Sequence, residues 1–147
     1  MTSSSGPVAP LQHERLPGGA PTPAGGSGRS EPIPLAALRA AAADLLGRPP
    51  SSLDYTCSCC GAAIGRACAV WGGSGQDHHA RRQRLQRVAE GYETCVDLVA
   101  QAAAGDSVAE VRAAVAVPRL VAMVGVPGRW RLPSPAEVRA ATLGRPS

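Results

Sequence analysis

Cys57-Ser58-Cys59-Cys60-Gly61, then Cys68, then His78-His79-Ala80-Arg81-Arg82 is the stretch on which the reading of this chain turns. Four of its five cysteines and two of its three histidines fall within residues 57–79. Thiolate and imidazole together are the donor set of tetrahedral Zn²⁺, with bonds of roughly 2.0–2.3 Å. Cys57, Cys60, Cys68 and one histidine make a C-x2-C-x7-C-x9-H pattern if His78 is used, and a pattern one residue longer if His79 is. Gly61, directly after the second cysteine, allows a tight turn that aims backbone N–H groups at the sulfurs. A single free cysteine reads as a small buried hydrophobe, but a cluster of this density reads as ligands.

The rest of the composition explains why a metal would be useful. With 147 residues the chain is expected to form one domain. It has no Phe, and its aromatics are Tyr55, Trp71, Tyr92 and Trp130, so an apolar fraction rich in Ala, Val and Leu carries little area per residue. A thin core of this kind commonly needs a staple, and the binding energy of structural zinc is also folding energy. The net charge of +4, with all 15 basic residues Arg, permits a polyanionic partner without requiring one. There is no apolar run of about 18 residues to span a membrane, and the N-terminus lacks an apolar signal-peptide core. A cytoplasmic, reducing location is therefore expected, where clustered cysteines hold metal more often than they pair.

The fold expected is mainly α: a small zinc knuckle followed by a long amphipathic helix and short helices, behind a disordered N-terminal tail. Residues 1–31, His13 among them, are Ser, Gly, Pro, Ala and Thr with scattered charges and offer nothing to bury. Residues 32–50 hold a helix with Leu35, Leu38, Leu45 and Leu46 near one face, stopped by Gly47 and Pro49-Pro50. Residues 51–104 form the zinc-binding domain, with Tyr55 beside the metal and a glycine-rich loop over 61–77. Its long helix starts near His78 and carries the stripe Leu85, Val88, Tyr92, Cys95, Val99 and Ala102. Gly91 weakens that helix by roughly 1 kcal/mol without ending it, and Cys95 reads as core.

Residues 105–147 are read as short helices. Ser107-x-x-Glu110 and Ser134-x-x-Glu137 are two capping boxes, the second with Pro135 at the favoured first helical position. Pro118 to Val126 is read as a separate short helix, and Pro127-Gly128 as a turn. Trp130, between Arg129 and Arg131, either touches a partner or covers a small core.

Three thiolates against one Zn²⁺ leave a net charge near minus one, which Arg66, Arg81, Arg82 and Arg84 could offset. Alternatively, Arg81, Arg82, Arg84 and Arg87 project from the first turns of the helix to contact nucleic-acid phosphates. The two roles are compatible. Catalysis is not expected: a catalytic zinc keeps a position open for water, whereas this cluster supplies four protein donors. The zinc-deaminase pattern and H-E-x-x-H are both missing, so the chain is read as no enzyme.

Residues 57–82 resemble the short zinc-binding domains of actinobacterial and actinophage proteins, in which C-x2-C-G-A-x-x-G-x-x-C precedes H-x-A-R. Cys57, Cys60-Gly61-Ala62, Gly65, Cys68 and His78-His79-Ala80-Arg81 fall on that pattern, with Ser58 where proline is usual and a short spacer before the histidine. The resemblance implies a DNA-binding type of zinc finger and makes His78 the fourth ligand. Val70-Trp71-Gly72-Gly73 followed by arginines is similar to the turn of WhiB-like iron–sulfur regulators, but there the turn lies well beyond the last cysteine. The expectation is thus a zinc protein that binds DNA through phosphate contacts in a regulatory role. The alternative is a protein-interaction module, or homo-oligomer, whose zinc is purely structural.

Overall fold

The computed structural model describes residues 6, 30–69 and 77–144. The expectation of a disordered tail falls almost wholly outside them, as does the Trp71-Gly72-Gly73 turn. The described residues form α1 (Leu35–Leu46), a one-turn 3-10 segment (Ser52–Asp54), α2 (His79–Ala103), α3 (Ser107–Val124) and α4 (Pro135–Leu143), with no strand among them.

Helix α2 is the spine, with α1, α3 and α4 all packed on it. Its buried face is the stripe read from sequence: Val88, Tyr92, Cys95, Val99 and Ala102 are inside, joined by Val96 and Ala103. Gly91 sits where α3 comes close, and a Cβ there would meet Leu120 Cδ1 at 3.3 Å. The residue that costs helix propensity thus admits the neighbouring helix. At the other end, Gly105 at φ +108 reverses the chain. The Gly105 and Asp106 amides donate to Ala102 O and Gln101 O, each at 3.0 Å. This is a glycine-dependent stop that returns α3 antiparallel along α2 after only three residues.

Three expectations need correction here. The α3 N-cap is Asp106, whose side chain accepts from Val108 N and Ala109 N; Ser107 is the first helical residue. A carboxylate one residue earlier takes the Ala109 amide that a Ser107 cap would need. Pro118 does not begin a separate helix but lies inside α3. It is exposed, while Ala109, Ala113, Val117, Leu120 and Val124 continue one buried stripe past it, and that packing outweighs the missing N–H. The C-terminal region is therefore not made only of short helices, since α3 has 18 residues.

Helix α1 buries Leu38, Ala41, Ala42 and Leu46, but Leu35 from its expected face is exposed. Across its surface edge Arg39 pairs with Glu93 and Asp97 of α2. Trp130 covers the core. It is 3% exposed, its Nε1 donates to Arg48 O at 2.9 Å, and its ring lies 6.1 Å from that of Tyr92. Tyr92 in turn donates to Gly47 O at 2.7 Å, tying the α1 end to α2. Ser134 and Glu137 form the expected reciprocal cap of α4.

Candidate metal centre

The chain from Tyr55 to Cys68 folds as a knuckle against the start of α2. Gly61, at φ +71, closes the turn: its amide donates to Cys57 O at 2.8 Å, and Cys57 N donates to Ala62 O at 2.9 Å. This conformation turns amides toward sulfur, as expected from the glycine. The Cys57 thiol is lowered to about 7, first by the backbone N–H of Cys60 and also by that of Cys59 and the thiols of Cys68 and Cys60. Cys60 receives the amides of Ala62 and Ala69, but burial and the two neighbouring thiols leave it raised overall.

The Sγ atoms of Cys57, Cys60 and Cys68 and a ring nitrogen of His78 all lie within 4.8 Å of one another. His78 presents Nδ1, 3.2 Å from Cys57 Sγ. A tetrahedron with bonds of about 2.3 Å has edges near 3.8 Å, so these four donors can hold a metal ion once the widest separations close by up to about 1 Å. His79, the alternative ligand, is exposed in the first turn of α2 and is not part of the cluster. Cys59 points outward, and Cys95 lies in the helical core with its thiol pushed up to about 11 by burial. His78 is also the N-cap residue of α2, so the positive end of that helix adjoins the thiolates.

Arg81 is where expectation and structure part. It is 2% exposed, the largest fully buried side chain described, and cannot reach a phosphate in solution. Its Nε donates to Ser52 O at 2.6 Å, Nη2 to Tyr55 O at 2.7 Å, and Nη1 to Arg66 O at 2.9 Å. Nη1 also donates to Cys68 Sγ at 3.3 Å and lies 3.6 Å from Asp77 Oδ1. One guanidinium therefore gathers three carbonyls at and just before the knuckle and places its charge beside the Cys68 sulfur. Arg81 lies seven residues before Val88 and four before Leu85, so it extends the core stripe by two turns. That spacing could have revealed it, had its charge not assigned it to solvent.

The other arginines divide. Arg84 is exposed, but its guanidinium sits 4.8 Å over the Tyr55 ring and donates to Met123 O at 3.1 Å. Arg82, Arg87 and Arg66 are exposed, with no carboxylate partner among the described residues. Four residues read as one row thus occupy three environments. Of the charges expected to offset the thiolates, only Arg81 touches one.

Beneath the knuckle is a network that sequence reading missed. Asp54 is buried and pairs with Arg48 and Arg129, each at 2.7 Å, while accepting from Ser51 N at 2.7 Å. Burial alone would raise its carboxyl, but the Ser51 amide and the two arginines hold it below the ordinary range. Arg129 also lies over Trp130, so this network joins the approach to the knuckle with the helical core.

These features define a mainly helical protein carrying a Cys₃His cluster competent to hold a metal. No protein-family model, curated protein or solved structure matches the chain. No described helix is long and apolar enough to cross a membrane.

Proposed function

We propose that Cys57, Cys60, Cys68 and His78 hold a structural Zn²⁺, and that the protein is a zinc-stapled helical module that binds a macromolecular partner. The observation that carries this reading is Arg81 buried against Cys68. Three thiolates and one neutral imidazole around Zn²⁺ carry a net charge of minus one, and an enclosed guanidinium, shared with Asp77, offsets part of it. Four protein donors fill a tetrahedron and leave no position for a reacting water, so the role is structural rather than catalytic. The likeness of residues 57–82 to short actinobacterial zinc-binding domains supports the choice of metal. Thiolate donors also favour zinc over the hard cations magnesium and calcium.

A second reading, DNA binding with a regulatory role, rests on Arg66, Arg82 and Arg87, which are exposed and have no ion-pair partner among the described residues. Arg81 is no longer among its contacts, and Arg84 would have to leave Tyr55 to join them. Zinc-loaded protein titrated with random-sequence duplex DNA from low to moderate salt tests both readings. Saturable binding, with a log–log salt slope reduced by about one unit in each of Arg82→Ala and Arg87→Ala, would establish the nucleic-acid reading. Absence of binding at low salt in a sample with one zinc per chain leaves a protein partner in a cytoplasmic setting as the account.

A further inference from the structure

The outer side of α3 also carries an apolar strip. Val111 and Val115 each lie two residues from a core position, Ala113, about 200° round the helix. They are 68% and 51% exposed, and Val108 on the same side is 56% exposed. A contiguous apolar strip left exposed on a helix ordinarily marks a contact surface. Beside this face, between α2 and α3, runs a groove of about 510 Å³ with Leu98 and Cys95 from α2 and Val115, Ala116 and Met123 from α3 in its walls. Gly91 opens it by contributing no side chain.

The charges along this groove indicate its occupant. Arg112 and Arg119 both line it, are exposed, and have no ion-pair partner among the described residues. The α1–α2 edge supplies an internal contrast: there Arg39 is bracketed by Glu93 and Asp97, an acidic pair one turn apart on the facing helix. The α2–α3 groove has the arginines without the acids. A second copy docked by the same face would bring its own Arg112 and Arg119 against these two, which is like-charge repulsion at a self-complementary contact.

We propose that the α2–α3 groove binds an acidic amphipathic helix of a partner protein. Leucine-type side chains of that helix fill the strip over Leu98, Val115 and Met123, and its carboxylates meet Arg112 and Arg119. The two arginines are seven residues apart, about 10 Å along the axis, so matching acids fall two turns apart with the apolar residues between them. This assignment deepens the binding-module reading and rests on it.

The probe is a synthetic amphipathic peptide of Leu, Ala and Glu with glutamates seven residues apart, labelled for fluorescence anisotropy against the full zinc-loaded chain. A matched peptide has Lys in place of Glu. The acidic peptide is expected to bind saturably and the basic one not. Arg112→Glu/Arg119→Glu should weaken acidic-peptide binding at least tenfold and gain binding of the Lys peptide. Val115→Asp, at a half-exposed position that leaves the fold intact by circular dichroism, should abolish both. Failure of the acidic peptide to bind, or binding indifferent to the double reversal, overturns the proposal. So does a concentration-dependent dimer dissolved by Val115→Asp, which would assign the face to a second copy. Duplex DNA binding lost in Arg112→Glu/Arg119→Glu would also overturn it. Zinc content measured on the same samples separates failure of the groove from failure of the metal reading.

Discussion

The two ends of α2 hold their neighbours by different means. From Val88 onward its inner face is Val, Tyr, Cys and Ala, packed on α1, α3 and α4 in a continuous apolar core. Two turns earlier the same stripe reaches Arg81, and what packs there is backbone: the carbonyls of Ser52, Tyr55 and Arg66. The helical end is stabilised by area removed from water, which needs no ligand. The knuckle end has Tyr55, Cys57 and Cys68 as its buried apolar groups, so on the proposed reading it depends on four donor atoms and one guanidinium. A long helix can serve both ends because the second uses only its first turn.

Metal removal should produce the largest difference between the two ends. Chelation, or Cys60→Ser, is expected to unfold residues 55–78 while most of the helical signal remains. Structural zinc contributes on the order of 10 kcal/mol of apparent binding free energy in small zinc-finger peptides. Amide hydrogen exchange read by segment checks this: knuckle amides should lose nearly all protection and α2–α3 amides little. Uniform loss would mean that the core also depends on the metal.

Arg81→Ala ranks next. It leaves three carbonyls, that of Tyr55 buried, without their donor and the Cys68 sulfur without its neighbouring charge, and should cost about 3–5 kcal/mol. Arg82→Ala, one residue on and in solvent, should stay within about 0.5 kcal/mol. Denaturant unfolding of the two variants gives the contrast directly. Equal effects would break the distinction between an interior and an exterior arginine.

A smaller effect concerns pH. The Asp54 carboxyl is depressed in the folded state, so the unfolded chain binds its proton first as pH falls. Its stabilisation is fully present above the ordinary Asp value, near 3.9, and is lost as pH drops through the lower folded value. Melting temperature followed down from pH 6 should therefore fall in the acid limb for the parent chain. Asp54→Asn should start lower and lose part of that dependence. An unchanged acid limb would remove Asp54 from the account.

The Cys₃His cluster was legible because its chemistry sits in short, unusual spacings: two cysteines three apart, a glycine after the second, and a histidine opening a strongly periodic helix. The α2 stripe, the Ser134 cap and the Gly47 stop were legible for the same reason. Arg81 was misread because residue type was allowed to overrule periodicity. A charge belongs outside unless something inside takes it up, and its acceptors are carbonyls from a loop up to 29 residues away, which no local pattern shows. Asp106 was passed over because Ser107-x-x-Glu110 matched a known box one residue late. Pro118 was read as a boundary because the continuity of the buried stripe across it becomes visible only when α3 is docked on α2. The groove, too, exists only once two helices are side by side.

The central claim is a closed metal shell of three sulfurs and one nitrogen, with no position for water. X-ray absorption at the zinc edge on the protein as purified tests it most directly. The account predicts one zinc per chain, with three sulfur neighbours near about 2.3 Å and one nitrogen near about 2.0 Å. A shell with an oxygen in place of a sulfur, or iron and sulfide in place of zinc, would contradict it.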